Sequence, residues 1–119
     1  VSNESIYGVR LSNDFIAIWI ASCVRSIEGV IDFDDSIPQN LSINMLKREA
    51  KASRGVKLYK KNDALGIDLY IIVSYGVQIP QLAWQIQRSV KNYVKDVIGI
   101  NTEEINVHVQ GVRILGENL

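Results

Sequence analysis

The side chains able to do chemistry are few and poorly spaced for it. His108 is the only histidine and Cys23 the only cysteine in 119 residues. A single imidazole on a strand has no second histidine for a metal and no nucleophile beside it. His108 therefore reads as a polar residue on the outer face of a sheet. Cys23 falls in an apolar helical stripe, where a thiol behaves as a small hydrophobe. Asp32, Asp34 and Asp35 gather carboxylates but lack the spaced oxygens and glycine turn of a calcium loop. The glycines at 8, 29, 55, 76, 99 and 111 stand singly at element boundaries, so no phosphate-cradling loop forms. No aromatic RNA-binding motif or GxxG clamp occurs. These observations predict a protein without catalytic residues, metal or cofactor, and no small-molecule substrate is expected.

Charge offers one further feature. Lys and Arg match Asp and Glu at 13 each, so no global field steers the chain to polyanions. Locally, Lys47, Arg48, Lys51, Arg54, Lys57, Lys60 and Lys61 form a basic block interrupted by one acid, Glu49. Such a block could meet RNA, lipid head groups or an acidic partner. A solvated segment facing the chain's own Asp32, Asp34 and Asp35 is the plainer reading, and nucleic acid is not the favoured partner.

The elements that position these residues follow from periodicity. Hydrophobic residues make up 47% of the chain and charged residues 22%, values of an ordinary globular domain. One domain over 6–115 is expected, with flexible termini at 1–5 and 116–119. The polar start "VSNESIYG" lacks the basic flank of a signal peptide. The longest apolar run, "FIAIWIA", is too short to span a bilayer. A lone cysteine fits a reducing cytoplasm.

"YGVRLS" alternates as a short strand, and Ser12, Asn13 or Asp14 can cap the following helix. Ile16, Ile20, Cys23, Val24 and Ile27 form its inner face, with Gly29 as its stop. "VIDFD" makes a second strand with Ile31 and Phe33 inward. A further short helix is expected near 41–52. "GVKLYKK" and "LGIDLYIIVSYG" form a hairpin through Asn62-Asp63. Gly76 turns the long strand into a helix that begins near Pro80 and stops at Gly99. "INVHVQGVRI" is the last strand, broken at Gly111 as by a bulge. The repeated "YGV" suggests two β-α-β units. The expected fold is α+β, order β-α-β-β-β-α-β, with two long helices on one face of a four- to five-stranded mixed sheet.

Two surfaces then look made for contact. Parity sends Tyr59, Tyr70, Ile72 and His108 to the sheet face away from the helices, which a two-layer domain leaves open. Trp19 and Trp84 flank, rather than centre, the apolar stripes of their helices and form a second surface.

The run "DLYIIVSYGVQIPQLAWQIQRSVKNYV…GINTEEINVHVQGV" closely resembles the core signature of the alkaline shock protein family, envelope-stress-response proteins of Gram-positive bacteria. "IASCVRSIEGV" and "RGVKLY" are similar to its N-terminal elements. The first helix is bulkier than the family's, and the 36–53 segment falls where such proteins vary. The resemblance implies a non-enzymatic cytoplasmic protein that self-associates into homo-oligomers. It also implies a place close to the membrane, held by a small membrane-anchored partner. The family brings no agreed catalytic residues to transfer.

Overall fold

The computed structural model describes residues 3–6, 9–34 and 54–114. The expected helix near 41–52, and Lys47, Arg48, Lys51 and Asp35, lie outside the described residues. The elements run β1 (Asn3–Ile6), β2 (Val9–Ser12), α1 (Asn13–Arg25), β3 (Val30–Phe33), β4 (Val56–Lys61), β5 (Ala64–Ser74), α2 (Ile79–Tyr93) and β6 (Thr102–Arg113). A π-helical turn, Val94–Ile98, extends α2.

The fold is α+β as expected, with one correction at its start. Of the expected first strand, Val9–Ser12 is described, and it is not part of the main sheet. Val9–Ser12 pairs antiparallel with Asn3–Ile6 in a separate two-stranded sheet. The order is therefore β-β-α-β-β-β-α-β, and the two "YGV" segments do not head equivalent units. The sequence of β1, "NESI", has too little apolar contrast to announce a strand.

Among the described residues the main sheet has four strands, organised on β5. β4 pairs antiparallel with the first half of β5 through the two-residue turn at Asn62 and Asp63, whose positive φ values of 51° and 63° match a hairpin's twist. β3 continues along the same edge, pairing antiparallel with Ile71–Val73. β6 lies parallel on the other edge along nearly all of β5. The α2 helix makes that parallel crossover.

Both helices cover one face of this sheet. Ile16, Ile20 and Val24 of α1 and Ile86 and Val90 of α2 are wholly buried against Ile67, Leu69, Ile71 and Val73 of β5. Val56, Leu58, Val107 and Val109 belong to this core or pack against it. In β3 a register shift lies between Val30 and Asp32, so Val30 and Phe33 reach the core rather than Ile31.

The chain reversals rest on local chemistry. The Ser12 hydroxyl accepts from Phe15 N at 3.3 Å and caps α1. The helix ends at Arg25 with Ser26 as its cap, short of Gly29, which instead turns the chain into β3 at φ +104°. Pro80 sits in the first turn of α2. Gly99 adopts φ 86° and donates its amide to the Val94 carbonyl at 2.7 Å, closing the π turn. Gly76 leaves β5 at φ +93°, and a Cβ there would meet no heavy atom within 4 Å. At Gly55, φ is +92° and a Cβ would come within 2.8 Å of Phe33 Cβ.

The two glycines therefore separate backbone strain from steric overlap. Gly76→Ala should cost only the left-handed conformation, about 1–2 kcal/mol. Gly55→Ala adds displacement of Phe33 and should cost more. Urea unfolding of both variants checks this, and equal losses would contradict the contact at Phe33.

Candidate functional site

The sheet face away from the helices is built by alternate residues of three strands. Register sets Lys57 opposite Asp68, Tyr59 opposite Gly66, and across the parallel edge Gly66 beside Glu104, Asp68 beside Asn106 and Tyr70 beside His108. The structure brings Tyr59, Tyr70, Ile72 and His108 together on this face, each half-buried.

Gly66 is the residue that sequence reasoning missed. A Cβ there would sit 2.1 Å from Tyr59 Cε2, so the ring lies directly over the glycine. From that position Tyr59 reaches across β5 to β6. Its hydroxyl donates to Glu104 Oε2 at 2.5 Å and accepts from Asn106 Nδ2 at 3.0 Å. Asn106 Nδ2 also donates to Asp68 Oδ1 at 2.9 Å, and Lys61 Nζ donates to Glu104 Oε1 at 2.8 Å. A glycine in the interior of a strand was the available signal, since such a residue marks close approach of another group.

Beside this network the His108 and Tyr70 rings stack at 4.4 Å between centroids and 9° between planes. Lys57 Nζ stands 5.4 Å from the Tyr70 ring centre. His108 Nε2 lies 3.7 Å from Asp68 Oδ1, too long for a hydrogen bond, and has no other hydrogen-bond partner among the described residues. Tyr70 is thus flanked by His108 and by a cation, which leaves little ring surface for a stacking base.

The electrostatics keep the network in one protonation state. Burial, then the hydrogen bond to Glu104, pushes the Tyr59 phenol well above its ordinary value of 10.0. The hydrogen bond from Lys61, joined by that from Tyr59, holds the Glu104 carboxyl below its ordinary value. The hydrogen bond to Glu104 raises Lys61 in turn. None of these groups is poised to exchange a proton near neutrality, which general acid–base chemistry needs.

The remaining sequence-selected residues are dispersed. Trp19 is partly buried against the core and meets Phe15 edge-on at 5.8 Å. Trp84 is 59% exposed on α2, with the Arg88 guanidinium 5.3 Å from its ring centre. An open cleft of about 560 Å³ separates that part of α2 from the start of β6, lined by Trp84, Gln87, Arg88, Lys91, Glu103 and Ile105. Among the described members of the basic block, Lys57 faces Tyr70, Lys60 pairs with Asp63 at 3.5 Å and Lys61 with Glu104. Asp32 pairs with Arg25 at 3.3 Å. Cys23 is half-buried, and burial raises its thiol's pKa. Gly76 and Pro80 form the corner into α2, and Gly111 follows the register shift in β6 opposite Ile71 and Ile72. The described residues hold no group of three or more His, Cys, Asp or Glu side chains placed to ligate a metal. They also include no helix long and apolar enough to cross a membrane.

The raised Tyr59 phenol has a sign that can be tested. A group whose folded pKa exceeds its unfolded one stabilises fully below the unfolded value, and that stability is lost as pH rises beyond it. Thermal midpoints should fall as pH climbs past 10, and fall less in Tyr59→Phe. In an absorbance titration of the folded protein, one of the five tyrosines should ionise later than the rest. Uniform ionisation of all five would contradict the Tyr59–Glu104 bond.

Comparison with known proteins supports the same assignment over nearly the whole chain. A family model described as having a cell envelope-related function matches residues 2–114. The "uncharacterized protein YloU" of Bacillus subtilis is 32% identical over 109 residues, covering 91% of each chain. The "uncharacterized protein Spy1614" of Streptococcus pyogenes serotype M6 is 28% identical over 110 residues, covering 92% of this chain and 91% of the relative. The "uncharacterized protein YqhY" of B. subtilis is 24% identical over 107 residues, 88% of this chain and 76% of the relative. No solved structure matches. With its β-α-β corner at Gly76 and Pro80 and its closing strand in place, the chain belongs to the alkaline shock protein family, of cell envelope-related function.

Proposed function

We propose that the protein is a non-enzymatic interaction module of cell-envelope stress homeostasis, working in the cytoplasm close to the membrane. It self-associates and docks on a membrane-anchored partner, and it uses the open sheet face to do so. The observation that carries this reading is the state of that face. Tyr70 and Ile72 stand on a sheet surface covered by no described element, beside a polar network whose groups are already bonded to one another. A catalytic site leaves a nucleophile or base free for substrate. Here the most acid–base-like pair, Tyr59 and Glu104, is spent on holding β4 to β6. A fixed surface with aromatic and aliphatic groups at its centre suits recognition better than turnover.

The second reading, an accessory domain binding RNA or anionic lipid through 47–61, draws less support. Lys57, Lys60 and Lys61 each engage a group of their own chain, and Tyr70 offers little free ring surface. Binding through phosphate contacts would show a steep loss with salt.

Light scattering on two double variants, each checked for retained fold, tests the location. Tyr70→Lys/Ile72→Lys should lower the scattering mass, and Trp19→Ala/Trp84→Ala should leave it near that of the parent. Loss confined to the tryptophan pair would move the contact surface to the helices.

A further inference from the structure

β6 is the longest described strand, and among the described residues only one of its edges is paired. β5 runs along it from Thr102 to Arg113, and no described strand occupies the other edge. The direction of its backbone groups can be followed. The carbonyls of Asn101 and Arg113 accept from Leu65 and Tyr75 at 3.1 and 2.7 Å, so both point toward β5. Register shifts opposite Leu65/Gly66 and Ile71/Ile72 each reverse the alternation between them. Ile105, Val107, Val109 and Val112 therefore direct N–H and C=O to the outer edge. The Ile105 carbonyl confirms the parity, because it accepts from the Gln87 side chain at 3.0 Å, on the cleft side. An extended edge of this kind is a template for another strand.

We infer that the outer edge of β6 pairs antiparallel with β6 of a second copy, about a twofold axis at His108. The inference rests on the self-association proposed above and adds to the open face a second contact of the same assembly, the strand edge that borders it. In this register Val107 faces Val109 of the second copy, and both carry outward backbone groups, as a hydrogen-bonded pair requires. His108 faces its own counterpart. Past the axis the extra residue at Gln110 shifts the register by one. Asn106 then meets Gly111, Ile105 meets Val112, and Glu104 meets Arg113.

Each of those pairings is physically consistent. Ile105 and Val112 both send backbone groups outward and side chains toward the helices, so Val112, 50% exposed in one copy, gains an apolar neighbour. Glu103 and Glu104 approach Arg113 at both ends of the twofold, which favours a second copy over an unrelated strand. Gln87 occupies the Ile105 carbonyl, so main-chain bonding is concentrated at Val107 and Val109. Opposite residues of an antiparallel pair project to the same face. The two open faces consequently join into one surface, with the Tyr70–His108 stacks at its middle.

Cross-linking tests this directly. His108→Cys in a Cys23→Ser background places two thiols across a non-hydrogen-bonded pair, with Cα atoms about 4.5 Å apart. That lies within disulfide reach. Mild oxidation should give a disulfide dimer, whereas Lys60→Cys in the same background should not. Val107→Pro removes an outward amide and spares the β5 ladder, so dimerisation should weaken at least tenfold with the circular dichroism retained. Should that variant unfold, Arg113→Glu provides the same comparison by opposing like charges. A wild-type chain that associates while His108→Cys fails to cross-link overturns the edge pairing and leaves self-association standing. A chain monomeric at every concentration overturns both.

Discussion

Tyr59 lying over Gly66 is the contact on which the open face depends. β4 and β6 are not neighbours; β5 separates them by two strand spacings, about 10 Å. A phenol can cross that gap only by lying flat, and it lies flat only where the strand beneath lacks a Cβ. Gly66 supplies the gap, and register places it directly opposite Tyr59. The hydroxyl then arrives between Glu104 and Asn106, and Asp68 and Lys61 complete the set. Burying the phenol without these partners would leave an unsatisfied group, a penalty of about 1–3 kcal/mol. Ring, glycine and β6 side chains are therefore one unit.

The consequence is a sheet fixed on both faces. On the helix side, wholly buried Ile67, Leu69, Ile71 and Val73 anchor β5 to α1 and α2. On the open side, side-chain bonds tie the second half of β4 to the first half of β6, with no described element covering them. Such a surface presents Tyr70, Ile72 and His108 in set positions, which reduces the ordering cost of an encounter. The family to which the chain belongs is described by a cell envelope-related function.

Much of this was legible in the sequence because it rests on period and punctuation. The alternation of Ile67 to Val73, the corner at Gly76 and Pro80, the stop at Gly99 and the break at Gly111 each have a one-residue cause. The misreadings arose where the cause is not local. β1 and β2 stabilise one another by pairing, which "NESI" does not advertise. The choice of Val30 over Ile31 depends on a register shift against β5. The side-chain network needed to know that Tyr59 and Glu104 lie two strands apart and that Gly66 sits between them. Gly66 carried a signal as a strand-interior glycine, but its meaning lies in the residue opposite.

A double-mutant cycle measures that unit most directly. Gly66→Ala should destabilise the parent by about 2 kcal/mol or more, because the new methyl must expel the Tyr59 ring. In a Tyr59→Ala background the same change should cost close to nothing, since the space above position 66 is then empty. Urea unfolding of the four proteins should therefore give a coupling energy of at least about 1.5 kcal/mol. Equal costs in both backgrounds would show that Tyr59 does not rest on Gly66, and the account of a face held rigid by that contact would be wrong.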